Sequence, residues 1–285
     1  MSRLIVNADD FGLTSGVNRA IIELHQAGVL TSATLMAKAA ATEEAIERAR
    51  ANPTLGVGCH VVLADGEPVL QASQIPSLID RRTGRFHQTL GAFLARLFTG
   101  RIAAAEIEAE AAAQITSLQK RGIRLTHVDT HKHTHMFPHV LRAVLRAASA
   151  AGIHAVRNPF EPEWAVNATP RASWMRTGEV IALRRLGPYF RRLILQQGFK
   201  TTDGTIAMAG TGTFDASAAR ALLNQMPEGT WELVTHPGYN DADLAKIRTR
   251  LRESRDIERN ALHALKEFPA IDLIAYNSLA PASIV

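Results

Sequence analysis

The sequence predicts an α/β fold in which about seven parallel strands close into a barrel. Short apolar, β-branched segments alternate with longer helical patterns along most of the chain. Strands separated by helices pair in parallel through right-handed crossovers. So many units of this kind in one chain favour a barrel over an open sheet.

The predicted strands are apolar segments of a few residues, rich in valine, isoleucine, leucine and threonine. Helical patterns separate most of them. The strands are Leu4–Asn7, Ala33–Met36, Val57–Leu63, Thr126–Thr130, Ala155–Arg157, Leu233–Thr235 and Leu273–Ala275.

The predicted helices have recognisable ends. Ser15 can cap the first helix, because its hydroxyl accepts a bond from a free N–H group, and Gly28 suits the C-terminal turn. Proline at an early position favours the start at Pro138. The helices are Gly16–Ala27, Ala103–Lys120, Pro138–Ala151, Ala216–Gln225 and Glu253–Lys266.

Residues 160–215 interrupt this alternation. They contain Pro162, Pro170 and Pro188, followed by Gly210 and Gly212. We predict a long insertion or lid beside the site rather than a separate domain. Residues 1–285 are therefore expected to form a single barrel domain.

The composition is that of an ordinary globular protein. The chain has 285 residues, 46% of them hydrophobic, enough to bury a sizeable core. Cys59 is the only cysteine, which excludes an intramolecular disulfide and predicts a reducing compartment. The first residues turn acidic at Asp9, so no secretory signal is expected and the predicted location is the cytoplasm.

The formal net charge is +5, but the basic residues are scattered without a nucleic-acid-binding motif. Nucleic acid is therefore not an expected partner. The exception is a basic stretch with Arg184-Arg185 and Arg191-Arg192. It fits a peripheral membrane contact or, more simply, a solvated helix face. An apolar face on the outer helices would support a homodimer.

The first polar cluster is Asp9-Asp10, which follows the apolar Leu4-Ile5-Val6. Successive strand side chains point in opposite directions. One carboxylate can therefore bind a cation while the other stays free as a base. The alternative is a capping turn ahead of Ser15.

The second polar position is His60, inside an apolar strand. A lone histidine there fits a hydrogen-bonded core residue as well as a metal ligand. Cys59 points the other way and is predicted to be a small buried apolar residue.

The third cluster consists of His127, Asp129, His131, His133 and His135, at every second position. On a strand this period places them on one side. Such a set is costly to bury without a purpose. Imidazole is the commonest protein metal ligand, and an aspartate can orient it. A solvated histidine-rich loop is the alternative.

A fourth histidine, His236, follows a predicted strand and precedes a Pro-Gly turn. That position displays the imidazole at the rim, where it suits general acid–base chemistry. Taken alone, it also fits an ordinary loop histidine.

Together these clusters supply an aspartate and two histidines from three strands. This donor set suits one divalent ion, with zinc or magnesium favoured and manganese, cobalt or nickel as alternatives. The expected reaction class is metal-assisted hydrolysis.

At these residues the sequence resembles the YdjC-like (ChbG) carbohydrate deacetylases. The shared motifs, in the family's order, are Asn-Ala-Asp-Asp-Phe-Gly from Asn7, Gly-x-His-x-x-Leu around His60, His-x-Asp-x-His-x-His-x-His from His127 and His-Pro-Gly-Tyr from His236. The resemblance implies a distorted TIM-like barrel that removes acetyl groups from N-acetylglucosamine units of small chito-oligosaccharides.

The resemblance also implies a role for each matching residue. Asp10, His60 and His131 would bind the metal. Asp9 would activate water as the base, and His236 would protonate the departing amine. The residues that contact the substrate or support the metal ligands would be His127, Asp129, His133, His135 and Arg157.

Some segments, including Ala155-Val156-Arg157, resemble the hopanoid-associated HpnK branch, whose substrate is an N-acetylglucosaminyl lipid. The His-Met-Phe-Pro stretch from His135 resembles the chito-oligosaccharide branch. Two other classes stay open. One is a metal-dependent hydrolase of a different bond, such as a cyclic amide or a phosphoester. The other is a non-catalytic protein that binds carbohydrate or lipid.

Overall fold

The computed structural model describes residues 2–170 and 174–279. Within them the strands form one parallel sheet and a separate antiparallel hairpin, β4–β5. The strands are β1 (Ser2–Phe11), β2 (Ser32–Leu35), β3 (Gly56–Val61), β4 (Ile79–Asp80), β5 (Arg85–Phe86), β6 (Leu125–Thr130), β7 (Gly204–Ile206), β8 (Gly229–Thr235) and β9 (Asp272–Leu273).

The parallel sheet curls into a distorted barrel. Its strand order is β6-β3-β2-β1-β8-β7, and β9 pairs with the start of β1. Residues 154–160 lie between the two edge strands. Bridges join Val128 to Val156 and Ala155 to Lys200, and the Phe160 carbonyl accepts a bond from Thr205 N. This irregular seam, rather than the full strand predicted at Ala155–Arg157, links β6 to β7. The predicted barrel is confirmed.

Helices cover the outer surface of the sheet. They are α1 (Ser15–Gln26), α2 (Thr42–Ala51), α3 (Leu90–Phe98), α4 (Ala104–Lys120), α5 (Pro138–Ala150), α6 (Glu163–Ala168), α7 (Trp174–Leu183), α8 (Gly187–Gln196), α9 (Ala216–Asn224), α10 (Ala242–Ala245) and α11 (Arg252–Ala261). The outward residues of β1, including Leu4, Val6 and Ala8, pack with these helices in the main apolar core.

Two predicted helix ends differ in the structure. Thr14, not Ser15, is the N-cap of α1, because its side chain accepts the bond from Val17 N. The last predicted helix, Glu253–Lys266, is α11 followed by a 3₁₀ segment, Leu262–Glu267. Neither difference moves a site residue.

The predicted insertion at residues 160–215 contains α6, α7 and α8 and then contributes β7 to the sheet. Residues 171–173 of this range lie outside the described part of the chain. Across the described residues, no helix has both the length and the apolar character needed to cross a bilayer.

Candidate metal centre and its surroundings

The interior of the barrel is polar and charged. On β1 the side chains of Asn7 and Asp9 point inward, because Val6 and Ala8, with which they alternate, pack outward. Asp129 on β6 and Glu232 on β8 are also buried. The seam supplies Arg157, whose guanidinium is fully buried among these carboxylates. Buried charges persist only when they are paired in this way.

Asp10, His60 and His131 meet at the carboxyl ends of β1, β3 and β6. One carboxylate oxygen, Asp10 Oδ1, lies 3.6 Å from His60 Nε2 and 3.3 Å from His131 Nδ1. His60 Nε2 is 3.2 Å from His131 Nδ1. The three predicted metal ligands are therefore brought together.

The chemistry of these three groups fits a divalent cation. Asp10 Oδ1 is buried and has no hydrogen-bond partner within the described residues. Asp10 has a positive φ of 65°, which turns its side chain away from the regular strand direction. His60 Nδ1 is 2.8 Å from Asp129 Oδ1, so His60 presents Nε2 to the centre. A carboxylate behind the imidazole is the usual orienting device for a metal-bound histidine.

The charges around His60 favour a cation at this position. Burial opposes a charged imidazole, yet the carboxylates of Asp129, Asp9 and Asp10 raise the pKa of His60 to about 9. Burial also opposes ionisation of Asp10, but Arg255 and His131 hold its pKa well below the usual range. Asp10 is therefore an ionised carboxylate, and the raised pKa of His60 marks a place that attracts positive charge.

A second group of potential ligands, Asp9, His60 and Asp129, lies deeper in the barrel. The Arg157 guanidinium already contacts both of its carboxylates, with Nη1 2.9 Å from Asp9 Oδ2 and Nη1 also bonded to Asp129 Oδ2. A bound metal would compete with that fixed charge. The outer group, Asp10, His60 and His131, is the better metal candidate.

Asp9 is not the free carboxylate that the sequence suggested. Its Oδ1 accepts bonds from Asn7 Nδ2 at 2.9 Å, Thr34 Oγ1 at 3.0 Å and Arg157 Nη2 at 2.7 Å. Burial opposes ionisation, but Arg157 and His60 lower the pKa of Asp9 far below its usual range. Asp9 is thus ionised at neutral pH, and its donors hold the carboxylate in one orientation.

His236 follows β8 and faces Asp9 across the centre. Its Nε2 lies 3.9 Å from Asp9 Oδ2, and its Nδ1 lies 3.7 Å from Glu258 Oε2. The same Glu258 oxygen accepts a bond from His236 N at 2.6 Å. Burial opposes protonation, but Glu258 and Asp9 raise the pKa of His236 above its usual value. The imidazole is therefore held in place and favoured in its protonated form.

The prediction that the histidine run continues on one strand face is wrong. β6 ends at Thr130, and residues 131–136 form a 3₁₀ turn in which Lys132 and His133 have φ values of 58° and 52°. Only His127 and Asp129 follow the strand period. The turn brings His131 to the metal centre and separates it from His135.

The other histidines of the run have different surroundings. His135 Nδ1 is 2.8 Å from Thr130 Oγ1, and burial lowers its pKa to about 4, so it is a neutral residue that supports the turn. His127 is buried at the other end of β6, and burial lowers its pKa to about 3. For His133, burial and the nearby Arg157 hold the pKa well below the usual range.

Four charged or polar residues of the site had not been predicted: Arg255, Glu258, Glu232 and Tyr276. Arg255 Nη2 donates to Asp10 Oδ2 at 2.5 Å. Arg255 and Glu258 lie three residues apart on one face of α11. Glu232 had a recognisable signal, because it is a carboxylate inside the apolar strand Trp231–Val234. No sequence pattern around Arg255, Glu258 or Tyr276 distinguishes them from ordinary helix or loop residues.

A parallel barrel with a carboxylate–histidine group at the carboxyl ends of its strands is a typical α/β-barrel enzyme scaffold. The sequence profile described as YdjC-like protein matches residues 3–268. The chain therefore belongs to the YdjC-like family. The resemblance inferred from the four motifs is confirmed.

Two relatives carry the name carbohydrate deacetylase. The protein from Brevibacillus brevis is 44% identical over 128 residues, which are 45% of this chain and 48% of that protein. This alignment thus spans about half the length of the relative. The protein from Thermoanaerobacter pseudethanolicus is 27% identical over 262 residues, covering 92% of this chain and 91% of that protein.

Solved structures with the same fold include one from Enterococcus faecalis, provisionally named a cellobiose-phosphate cleavage protein. It aligns with a TM-score of 0.76 and 27% identity over 97% of this chain and 98% of that chain. A lactam utilization protein from Thermus thermophilus aligns with a TM-score of 0.53 and 15% identity over 96% of this chain and 99% of that chain. The second likeness concerns the fold alone.

Proposed function

We propose that this protein is a metal-dependent hydrolase that removes the acetyl group from an N-acetylated amino sugar. The observation that carries the proposal is the Asp10–His60–His131 group, which lies beside an ionised aspartate, Asp9, and a protonated histidine, His236. The relatives named carbohydrate deacetylase support the acetamide substrate.

Asp10, His60 and His131 would hold one divalent ion, zinc or magnesium first and manganese, cobalt or nickel as alternatives. When bound, such an ion polarises a carbonyl oxygen and makes water a better nucleophile. The His60–Asp129 bond and the Arg255–Asp10 bond fix two of the ligand side chains before the ion arrives.

Asp9 is proposed as the base that takes the proton of the attacking water. Three donors occupy its Oδ1, whereas Oδ2 faces His236 and receives one bond from Arg157. Oδ2 is therefore the oxygen with capacity for a further bond. Fixing the carboxylate in this way favours proton transfer along one direction.

His236 is proposed as the acid that protonates the sugar nitrogen as the C–N bond breaks. The Glu258 carboxylate behind its Nδ1 favours the charged imidazole, so Nε2 carries a donatable proton. Free amine and acetate are the products. The catalytic groups or the substrate would be supported by Arg157, Asp129, His133 and His135. His127 would pack against Tyr276.

The proposed substrate is N-acetylglucosamine in a small chito-oligosaccharide. A second candidate is an N-acetylglucosaminyl lipid of the hopanoid type. It is favoured by exposed apolar side chains, Ile181 at 51% and Leu195 at 36%, in the same stretch as the exposed Arg185 and Arg192. Such a mixture suits an anionic membrane surface. A single domain, a homodimer and a cytoplasmic location remain predictions.

The decisive experiment is acetate release by metal-reconstituted protein, with chitobiose-type oligosaccharides compared against an N-acetylglucosaminyl lipid. Release that a chelator abolishes would support the proposal, and the preferred substrate would identify the branch. No release from either, with metal bound, would refute the acetamide substrate and favour another bond or a binding role.

Two variants test the assigned roles. Asp9→Asn should retain metal and lose most activity, because the base is removed while the ligands stay. His131→Ala should lose both metal and activity. Near-normal turnover of Asp9→Asn would show that Asp9 is not the base.

A further inference from the structure

The C-terminal segment returns into the end of the barrel opposite the metal centre. β9 pairs with Arg3 and Leu4 at the start of β1, and Ile274 N donates to the Leu4 carbonyl at 3.0 Å. The next residues form a 3₁₀ turn, Tyr276–Ser278. As a result, the Tyr276 side chain is buried against Ile5 and Ala155 in a small apolar cluster of its own.

The Tyr276 ring is fixed by a flat contact with His127. The two ring centroids are 3.7 Å apart and the planes differ by 10°. Gly58 makes room for the imidazole, because a Cβ on Gly58 would lie 2.4 Å from His127 Cε1. Burial lowers the pKa of His127 to about 3, so a neutral ring packs on the tyrosine.

The Tyr276 hydroxyl begins a chain of buried hydrogen bonds that ends at Asp9. It donates to Glu232 Oε2, and Glu232 Oε1 accepts a bond from Arg157 Nε at 2.9 Å. Arg157 Nη1 and Nη2 then donate to the two Asp9 oxygens at 2.9 and 2.7 Å. Burial and the neighbouring Glu232 raise the pKa of Tyr276 well above its usual value, so the hydroxyl keeps the proton that it donates.

We propose that Tyr276 is a positioning residue, which orients the Asp9 carboxylate through Glu232 and Arg157. The inference rests on the proposed function, in which Asp9 is the base. Arg157 has a competing acceptor, because its Nη1 also contacts Asp129. Glu232 Oε1 lies 2.9 Å from both Nε and Nη2 of Arg157, which fixes the rotation of the planar guanidinium and so keeps its Nη groups directed at Asp9.

The test is the variant Tyr276→Phe, which removes the hydroxyl and keeps the ring stacked on His127. Its matched control is Tyr189→Phe, since the bond that the described residues make to the Tyr189 hydroxyl comes from Arg142 Nε, at 2.5 Å and at the protein surface. We expect Tyr276→Phe to lower kcat about tenfold or more, with KM and metal content unchanged, because a misplaced catalytic group is slower without binding less substrate. The control should match the parent protein.

A second variant, Glu232→Gln, weakens the same chain at its next link. It should show the same split between kcat and KM. The double variant should lose little beyond the worse single variant, because both changes break one connection. Losses that multiply in the double variant would overturn the inference, as would an unchanged kcat in folded, metal-loaded Tyr276→Phe. If that variant does not fold, Glu232→Gln is judged alone, and an unchanged kcat in the folded, metal-loaded Glu232→Gln variant would overturn the inference.

An NMR measurement separates this inference from the proposed function. The Arg157 Nε–H resonance should be protected from exchange in the parent protein, and should shift and exchange faster in Tyr276→Phe. If the parent protein releases no acetate, the proposed function fails, but this resonance still reports whether Tyr276 fixes Arg157. A resonance that is the same in both proteins would overturn the inference.

Discussion

The pairing of His236 with Glu258 predicts a change in the pH dependence of activity. The variant Glu258→Gln removes the negative charge and keeps an oxygen that can accept the bond from His236 N. Because Glu258 raises the pKa of His236, its loss should lower that pKa. A general acid works only when protonated, so the fall of kcat/KM at high pH should begin at a lower pH.

The size of the effect follows from the geometry. At the observed 3.7 Å between His236 Nδ1 and Glu258 Oε2, two unit charges interact by about 4 kcal/mol at an effective dielectric constant of about 20. This is an upper value, because the His236 side chain is 13% exposed and water therefore screens the pair. Loss of even a third of it, about 1.4 kcal/mol, lowers kcat/KM on the high-pH side about tenfold.

The assay is kcat/KM against pH, together with NMR titration of the His236 ring. Asp256→Asn is the matched control, because Asp256 lies on the same helix and accepts a bond from Asn240 N instead. A high-pH limb that stays in place in Glu258→Gln, or that moves to higher pH, would refute the assignment of His236 as the acid. A limb that moves equally in the control would point to general charge rather than to the pair.

Three further predictions concern the proposed metal ligand His60 and the packing of His127. Metal binding at pH 7 should release about one proton, because a metal must displace the proton of His60, whose pKa is raised to about 9; calorimetry in buffers of different ionisation enthalpy measures it. The raised pKa of His60 stabilises the metal-free protein fully below about pH 6.5. The Tm of the metal-free protein should therefore fall as the pH rises from about 6.5 to about 9. Gly58→Ala should lower the free energy of unfolding by about 1–3 kcal/mol in urea denaturation, because its Cβ would lie 2.4 Å from His127 Cε1.

Each of these has an internal check. A Tm that is flat across that pH range, with no proton release, would show that His60 is already neutral. Gly91→Ala is the control for Gly58→Ala, because a Cβ on the helical Gly91 meets nothing within 4 Å. It should leave stability unchanged or raise it by up to about 1 kcal/mol. Equal losses in both variants would show that the His127 contact is not the cause.

The sequence predicted the barrel and most of its strands because their signals are local. An apolar segment such as Leu4–Val6, followed by carboxylates and then by a helical pattern, indicates a strand and its carboxyl end without reference to the rest of the fold. The identity of the three candidate ligands came from the motifs, and the structure brings those residues together.

What the sequence did not predict depends mostly on contacts between residues distant along the chain. The turn at Lys132 and His133 replaces a strand because Lys132 Nζ pairs with Asp65 Oδ2 at 2.5 Å and His135 N bonds to Thr130 Oγ1. Asp9 looked free because its partner Arg157 is 148 residues away. Tyr276 follows a short strand near the C-terminus, and nothing in its neighbours in the sequence indicates that it enters the barrel.

The irregular seam at residues 154–160 also keeps the barrel wall closed between β6 and β7. Arg157 comes from this seam, and its carboxylate partners come from β1, β6 and β8. Opening the barrel between β6 and β7 would remove the Arg157 guanidinium from its carboxylate partners. Their buried negative charges would then be unpaired, which costs several kcal/mol. If the protein acts as proposed, its substrate and products would therefore pass at the carboxyl ends of the strands, beside the candidate metal centre, rather than through this wall.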